Sequence, residues 1–151
     1  MNPLEAIGLL LALLAATTGL GLVWRARQGR VARVAGDVIT PADVAASAQF
    51  GPAATLLQFS TEMCSRCPGT RRLLGAVAAE RPGVVHVDVD LTHRADLANR
   101  FSILQTPTTL ILDATGRVRA RVGGAPNRAA IAATLNAITQ DTHSLTTTQR
   151  S

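Results

Sequence analysis

The sequence contains no lysine and few aromatic residues. All fifteen basic residues are arginines, and the aromatic residues are three phenylalanines and one tryptophan. Aliphatic side chains must therefore supply most of the core. From Val34 onward eleven arginines accompany nine acidic residues, so most of the formal charge of +5 precedes the folded part. Nucleic-acid binding is not expected, because no aromatic–basic interleaving and no known nucleic-acid motif is present.

A long apolar run occupies the N-terminal region. Leu4 to Trp24 contains one charged residue, Glu5, and is long enough as a helix to cross the roughly 30 Å hydrocarbon layer of a membrane. It lacks the preceding basic residues of a cleaved signal peptide and the terminal cysteine of a lipoprotein anchor. The sequence therefore predicts a single-pass transmembrane anchor over residues 1–24.

The charges that follow this run predict its orientation. A basic juxtamembrane linker is expected over residues 25–36, and no basic residue precedes the apolar run. Under the positive-inside rule, the domain after the anchor lies on the cytoplasmic side of the cell membrane.

The remaining sequence alternates between strand and helix patterns. Thr40 is a predicted N-cap for a helix over Pro41–Gln49, and the residues near Val31–Val34 fit an edge strand. The later segments predict the order strand, helix, strand, helix, strand, strand, helix, beginning with "ATLLQF" and ending with "APNRAAIAATLNAI". The expected fold is an α/β domain over residues 37–138, followed by a disordered polar tail over residues 139–151.

The only two cysteines lie where the first firm strand gives way to a helix. Cys64 is predicted at the helix N-terminus, where unpaired N–H groups and the helix dipole favour a thiolate, and Arg66 adds positive charge. Cys67, one turn later, is placed to attack a mixed disulfide formed at Cys64. A structural disulfide and half of a metal site remain alternatives. The three histidines have no ligand-like spacing. His86 is expected to be solvated or hydrogen-bonded.

Several segments together resemble the thioredoxin superfamily over roughly residues 34–138. They are "FSTEMCSRCPGTRRLL", "VDVD", "TPTTLILDATGRV" and "GGAP". The resemblance implies a thioredoxin-like fold, a central mixed sheet flanked by helices, and thiol–disulfide exchange. It implies that Cys64 is the nucleophile and Cys67 the resolving thiol. Pro107, in the cis form, and Thr106 before it would bind an extended substrate.

The sequence also departs from the family pattern near these cysteines. Met63, Ser65 and Arg66 replace the Trp, Gly and Pro of the usual motif, and Gln58 occupies the place of a buried Asp. An amide can hydrogen bond but cannot take the proton of the resolving thiol. Resolution by Cys67 is then expected to use water or Glu62, with Gln58, Ser65 and Arg66 in supporting roles.

The resulting expectation is a membrane-tethered oxidoreductase acting on protein disulfides. No bound cofactor or metal is expected, because the electrons reside in the cysteine pair, and an upstream thiol or membrane electron donor would supply them. One alternative is a thioredoxin-like scaffold whose disulfide is structural. Another is a peroxide-reducing enzyme, for which Thr61 has Thr-x-x-Cys spacing to Cys64.

Overall fold

The computed structural model describes residues 2–27, 29–33, 36–45 and 47–148. It contains five helices and five strands within those residues. They are α1 (Pro3–Arg27), β1 (Val31–Arg33), α2 (Pro41–Val44), β2 (Ala54–Ser60), α3 (Cys67–Ala79), β3 (Val84–Asp90), α4 (Ala95–Arg100), β4 (Thr108–Asp113), β5 (Val118–Gly123) and α5 (Arg128–Thr148).

The strands form one mixed sheet in the order β1-β5-β4-β2-β3. β2 pairs in parallel with β3 and antiparallel with β4. β5 pairs antiparallel with both β4 and β1. β2 is thus interior, and all seven of its residues are buried. Its carboxyl end, where the two cysteines follow, lies near the middle of the sheet.

Two apolar clusters cover the two faces of this sheet, because alternate residues of a strand point to opposite sides. Leu56 packs on one face with Leu74 of α3 and Ile131 of α5. Leu57 and Phe59 pack on the other face against α4 and the segment around α2. The first cluster is wholly aliphatic, as the scarcity of aromatic residues predicted.

Helix α1 lies outside both clusters. None of the Pro3–Ala26 segment is buried, and its length and composition fit either a membrane span or a signal sequence. Just after the helix, the Gly29 N–H donates to the Gly123 carbonyl at 2.9 Å, and β1 then joins the sheet. Residues 31–33 therefore belong to the folded domain. The linker is shorter than the predicted range of residues 25–36.

Two helices differ in length from the sequence predictions. α2 ends at Val44 instead of Gln49, since Ala45 is extended and the chain turns Ala48 and Phe50 onto the second cluster. α5 continues to Thr148, because no Gly or Pro interrupts residues 128–148. The prediction of a disordered tail was wrong for residues 139–148, and residues 149–151 lie outside the described residues.

Candidate active site

Cys64 and Cys67 form a disulfide in the turn between β2 and α3. The Cys64 N–H donates to the Thr61 carbonyl, and the Cys67 N–H donates to the Cys64 carbonyl, each at 3.2 Å. Helix α3 begins at Cys67, so Cys64 lies in the preceding turn. The prediction that Cys64 occupies the helix N-terminus was therefore wrong. Pro68 follows within the first helical turn, where its missing N–H costs little.

The two sulfur-bearing residues differ in accessibility. Cys64 is partly exposed, whereas Cys67 is only 2% exposed and faces the interior. An external sulfur can therefore approach Cys64, while Cys67 is shielded by the fold. This difference in accessibility suits a pair in which Cys64 reacts with the substrate and Cys67 then attacks the Cys64 sulfur from the interior side.

A groove of about 490 Å³, here called the redox groove, opens beside Cys64. Two loops and the end of α1 line it. Its lining residues are Trp24, Thr61, Met63, Cys64, Ser65, Arg66, Gln105, Thr106, Pro107 and Gly124. The groove thus brings together all the sequence-predicted site residues except Cys67 and Gln58, which lie beneath it.

The two loops are joined across the groove by their threonines. The hydroxyl oxygens of Thr61 and Thr106 are 3.2 Å apart, within hydrogen-bonding distance. The Thr106–Pro107 peptide bond is cis, and the Pro107 carbonyl accepts the Gly124 N–H at 2.7 Å. These bonds fix the segment opposite the disulfide. Thr61, considered above for a peroxidatic site, therefore has a positioning contact with Thr106.

Gln58 lies directly behind Cys67 and is completely buried. Its side-chain Nε2 donates to the Cys67 carbonyl at 3.2 Å, and its Oε1 lies 3.1 Å from Nε2 of His86. An amide oxygen can only accept, so His86 must carry a proton on Nε2 for this bond to form. Glu62, in contrast, is exposed, and its backbone N–H donates to the Thr92 hydroxyl. The side-chain amide of Gln58 therefore holds the Cys67 backbone by a hydrogen bond.

His86 and Asp88 extend this polar cluster along β3. Burial lowers the pKa of His86 below its ordinary value, and the negative charge of Asp88 only partly opposes that effect. Asp88 accepts the Ser60 hydroxyl at 2.8 Å and forms an ion pair with Arg71. His86 is thus a half-buried, hydrogen-bonded residue that favours its neutral form near pH 7.

Two buried threonines complete the surroundings of Gln58. Thr109 is its antiparallel partner on β4, and Thr70 lies one turn after Cys67 in α3. Both hydroxyl oxygens are buried without a hydrogen-bond partner among the described residues. Buried polar groups therefore lie beside Gln58 on β4 and in the first part of the helix that begins at Cys67.

Sequence reasoning missed the positions of His86 and Trp24. His86 reaches Gln58 because the parallel pairing of β2 and β3 sets Leu56 opposite His86, a register that no single strand specifies. Trp24 ends the apolar run, and it also lines the redox groove. The short distance in sequence between Trp24 and the first strand could have indicated that Trp24 lies near the domain. The side of the domain that it reaches depends on how the chain joins the sheet.

Comparisons with known proteins agree with this architecture. The family model for thioredoxin matches residues 43–137. A mutant thioredoxin from Halobacterium salinarum is 18% identical with a TM-score of 0.51, covering 58% of this chain and 75% of that one. A thioredoxin-like protein from Clostridium perfringens is 26% identical with a TM-score of 0.50, covering 58% and 72%. No curated protein matches the sequence.

A thioredoxin-2 from the malaria parasite, described as a component of that parasite's protein secretion machinery, is 20% identical with a TM-score of 0.50. It covers 56% of this chain and 82% of its own. These likenesses confirm the predicted thioredoxin-like fold, a mixed sheet flanked by helices. Since the family model spans more than half of the sequence, the chain belongs to the thioredoxin family.

Proposed function

We propose that this protein is a membrane-tethered thiol–disulfide oxidoreductase acting on protein disulfides. The observation that carries the proposal is the disulfide between a partly exposed Cys64 and a buried Cys67, set in a groove beside Thr106 and Pro107. A purely structural disulfide has no need of an accessible sulfur or of a substrate-sized groove. An exchange enzyme needs both.

In the reducing direction, the Cys64 thiolate attacks one sulfur of a substrate disulfide. The substrate S–S bond breaks, a Cys64–substrate disulfide forms, and the leaving sulfur takes up a proton. The Cys67 thiolate then attacks the Cys64 sulfur, which releases the second substrate thiol and forms the Cys64–Cys67 bond. Two electrons pass from the protein pair to the substrate. In the oxidising direction the same steps run in reverse.

The surroundings of the pair assign supporting roles to its neighbours. Gln58 holds the Cys67 carbonyl and so fixes the start of α3, but its amide cannot accept the Cys67 proton. That proton passes to water, because the Glu62 side chain points to solvent. Ser65 and Arg66 line the groove beside Cys64, and the positive charge of Arg66 favours the attacking thiolate.

No bound cofactor or metal enters this scheme, since the cysteine pair itself stores the two electrons. Sustained reduction of substrates requires an external donor, either another protein thiol or a membrane electron carrier. In this proposal helix α1 is the membrane anchor, and the arginines after it favour the cytoplasmic side for the domain under the positive-inside rule. Anchoring confines the enzyme and a membrane client to one surface and so raises their encounter rate.

Trapping of mixed disulfides tests the exchange mechanism. The Cys67→Ser variant retains the nucleophile but cannot resolve the intermediate, so it should accumulate disulfide-linked complexes with client proteins, visible on non-reducing gels. The matched Cys64→Ser variant should accumulate far fewer, because Cys67 is buried. Equal partner capture by both variants and the wild type, independent of reductant, would instead indicate the scaffold function.

Peroxide consumption distinguishes thiol–disulfide exchange from the remaining alternative, a peroxide-reducing enzyme. A peroxide-reducing enzyme would form a sulfenic acid at Cys64 and would consume hydrogen peroxide at a rate that depends on Thr61. Under the exchange mechanism, the purified protein reduces an insulin-type disulfide with a thiol donor and shows no peroxide turnover above that of the Cys64→Ser variant.

A further inference from the structure

The apolar helix ends at the redox groove. Trp24, at the end of the apolar run, lines the same groove as Cys64 and Pro107. Trp24 is 66% exposed, so its indole lies at the mouth of the groove without closing it. Tryptophan at the end of a membrane span favours the headgroup level of a bilayer. Trp24 therefore lies at the mouth of the groove and also has the position in the sequence that is expected at a membrane surface.

The connection between the helix and the domain is short and fixed. α1 ends at Arg27, and Gly29 is already bonded to Gly123, next to the groove-lining Gly124. Gly29 has a φ of +74°, and a Cβ atom there would lie 2.4 Å from the Ala125 carbonyl oxygen. A side chain is thus excluded at the junction, and the chain passes close against the domain. This short tether keeps the groove near the anchor.

The surface around the groove also has the composition of a membrane interface. Met63 and Leu104 are 94% and 96% exposed, although neither belongs to the apolar run. Arg30 shares a second surface depression with Leu104 and Gln105, and Gln105 also lines the redox groove. Exposed apolar side chains beside an arginine suit contact with acyl chains and anionic headgroups.

We propose that the redox groove opens toward the bilayer, and that its substrate is a cysteine pair in the juxtamembrane segment of an integral membrane protein. This inference rests on the proposed exchange activity and specifies its client. The reacting cysteines lie close to the end of the client's own membrane span, because Trp24, at the end of this chain's apolar run, lines the groove.

Exchange rates with positioned probes test the inference. The reduced full-length protein is placed in vesicles of phosphatidylcholine and phosphatidylglycerol with synthetic transmembrane peptides that carry a Cys-x-x-Cys disulfide. One peptide holds the disulfide about four residues beyond the span, and a second holds it about 25 residues beyond, on a Gly/Ser spacer. A third, water-soluble peptide carries the same disulfide without a span.

The near probe should be reduced about tenfold faster than the far probe at equal surface density, because only the near disulfide stays at the height of the groove. Equal rates for near and far probes, or a faster far probe, would overturn the inference while leaving the exchange activity intact. If none of the three probes is reduced, the proposed function itself fails. The soluble peptide therefore distinguishes the two failures.

A lengthened tether provides the matched control. Insertion of about 20 Gly/Ser residues after Arg27 frees the domain from the bilayer and leaves β1 and both loops of the groove in place, but it also separates Trp24 from the groove. The preference for the near probe over the far probe should disappear in this variant, while the soluble peptide should still be reduced. A near-probe preference that survives the insertion would show that tether length does not set it, and the inference would be wrong.

Trp24 offers an independent readout because it is the only tryptophan in the chain. Disulfides quench nearby indoles, and brominated acyl chains quench indoles at the membrane interface. The emission should therefore respond both to reduction of the Cys64–Cys67 bond and to brominated lipid, and the first response should vanish in the Cys64→Ser variant. If the wild-type emission fails to respond either to reduction or to brominated lipid, Trp24 does not lie at both the groove and the bilayer, and the inference is wrong.

Discussion

Gln58→Glu changes a single group at the centre of the site, the amide that contacts Cys67. Gln58 is completely buried, and its Nε2 lies 3.2 Å from the Cys67 carbonyl oxygen. An ionised carboxylate oxygen would face the Cys67 carbonyl oxygen at that distance. Both atoms are acceptors, and no proton would lie between them. A protonated carboxyl group would instead donate to the same carbonyl. The second carboxyl oxygen can still accept from neutral His86. The variant should therefore favour its neutral form in the folded state.

The size of the effect follows from burial. Full burial raises a carboxyl pKa by about three units or more above its ordinary value of about 4.3. Each unit corresponds to about 1.4 kcal/mol, so the variant should be about 4 kcal/mol less stable than the wild type at about pH 8. At about pH 4 the group is protonated in the folded state and mostly protonated in the unfolded state, and the difference should fall below about 1 kcal/mol. Stability relative to wild type is thus lost as pH rises from about 4.3 to about 7.

Urea unfolding followed by circular dichroism measures this dependence. A fragment of residues 28–151 is suitable, because α1 contributes nothing to either core cluster and β1 is retained. Gln58→Leu is the matched control; it loses both hydrogen bonds at every pH and should cost about 1–3 kcal/mol throughout. If Gln58→Glu shows the same loss at about pH 5 and about pH 8, the site is hydrated and the account of the buried amide is refuted.

Two further predictions use matched pairs of variants in the same fragment. Because burial lowers the His86 pKa, the unfolded chain takes up this proton first as pH falls, so stability should decline from about pH 6.5 downward. His86→Gln should flatten that decline, whereas replacement of the exposed His93 should leave it unchanged; equal slopes in both variants would contradict the argument. Thr109→Val removes a buried hydroxyl without a described partner and should raise the free energy of unfolding by about 1 kcal/mol. Thr55→Val should lower it by about 1–2 kcal/mol, because the buried Gly51 N–H loses its acceptor at 2.9 Å, and a stabilised Thr55→Val variant would refute this reasoning.

The fold could be predicted where local signals agree with burial. "ATLLQF" is a short apolar run, and the change of period after it indicates the β2–α3 junction. The end of α2 could not be predicted, since packing of Phe50 on the second cluster overrides the helix propensity of Ala45 to Ala48. The end of α5 was missed because polar residues were interpreted as a tail although no helix-breaking residue occurs among them.

The site was predictable in its covalent chemistry but not in its surroundings. The spacing of Cys64 and Cys67, and the later "TPT", identify the two segments that form the groove. The contact between Gln58 and His86 depends on strand register, which is decided by the packing of the whole sheet. The approach of Trp24 to Cys64 depends on where the chain enters the sheet after α1.

The reduction potential of the Cys64–Cys67 pair tests the central claim most directly. The fragment of residues 28–151, which retains β1, is equilibrated in glutathione or dithiothreitol buffers, and free thiols are counted by gel shift. The account predicts a single two-electron transition between about −270 mV, as in thioredoxin, and about −120 mV, as in strong oxidants. A pair that stays oxidised below about −300 mV would behave as a structural disulfide and would contradict the exchange mechanism.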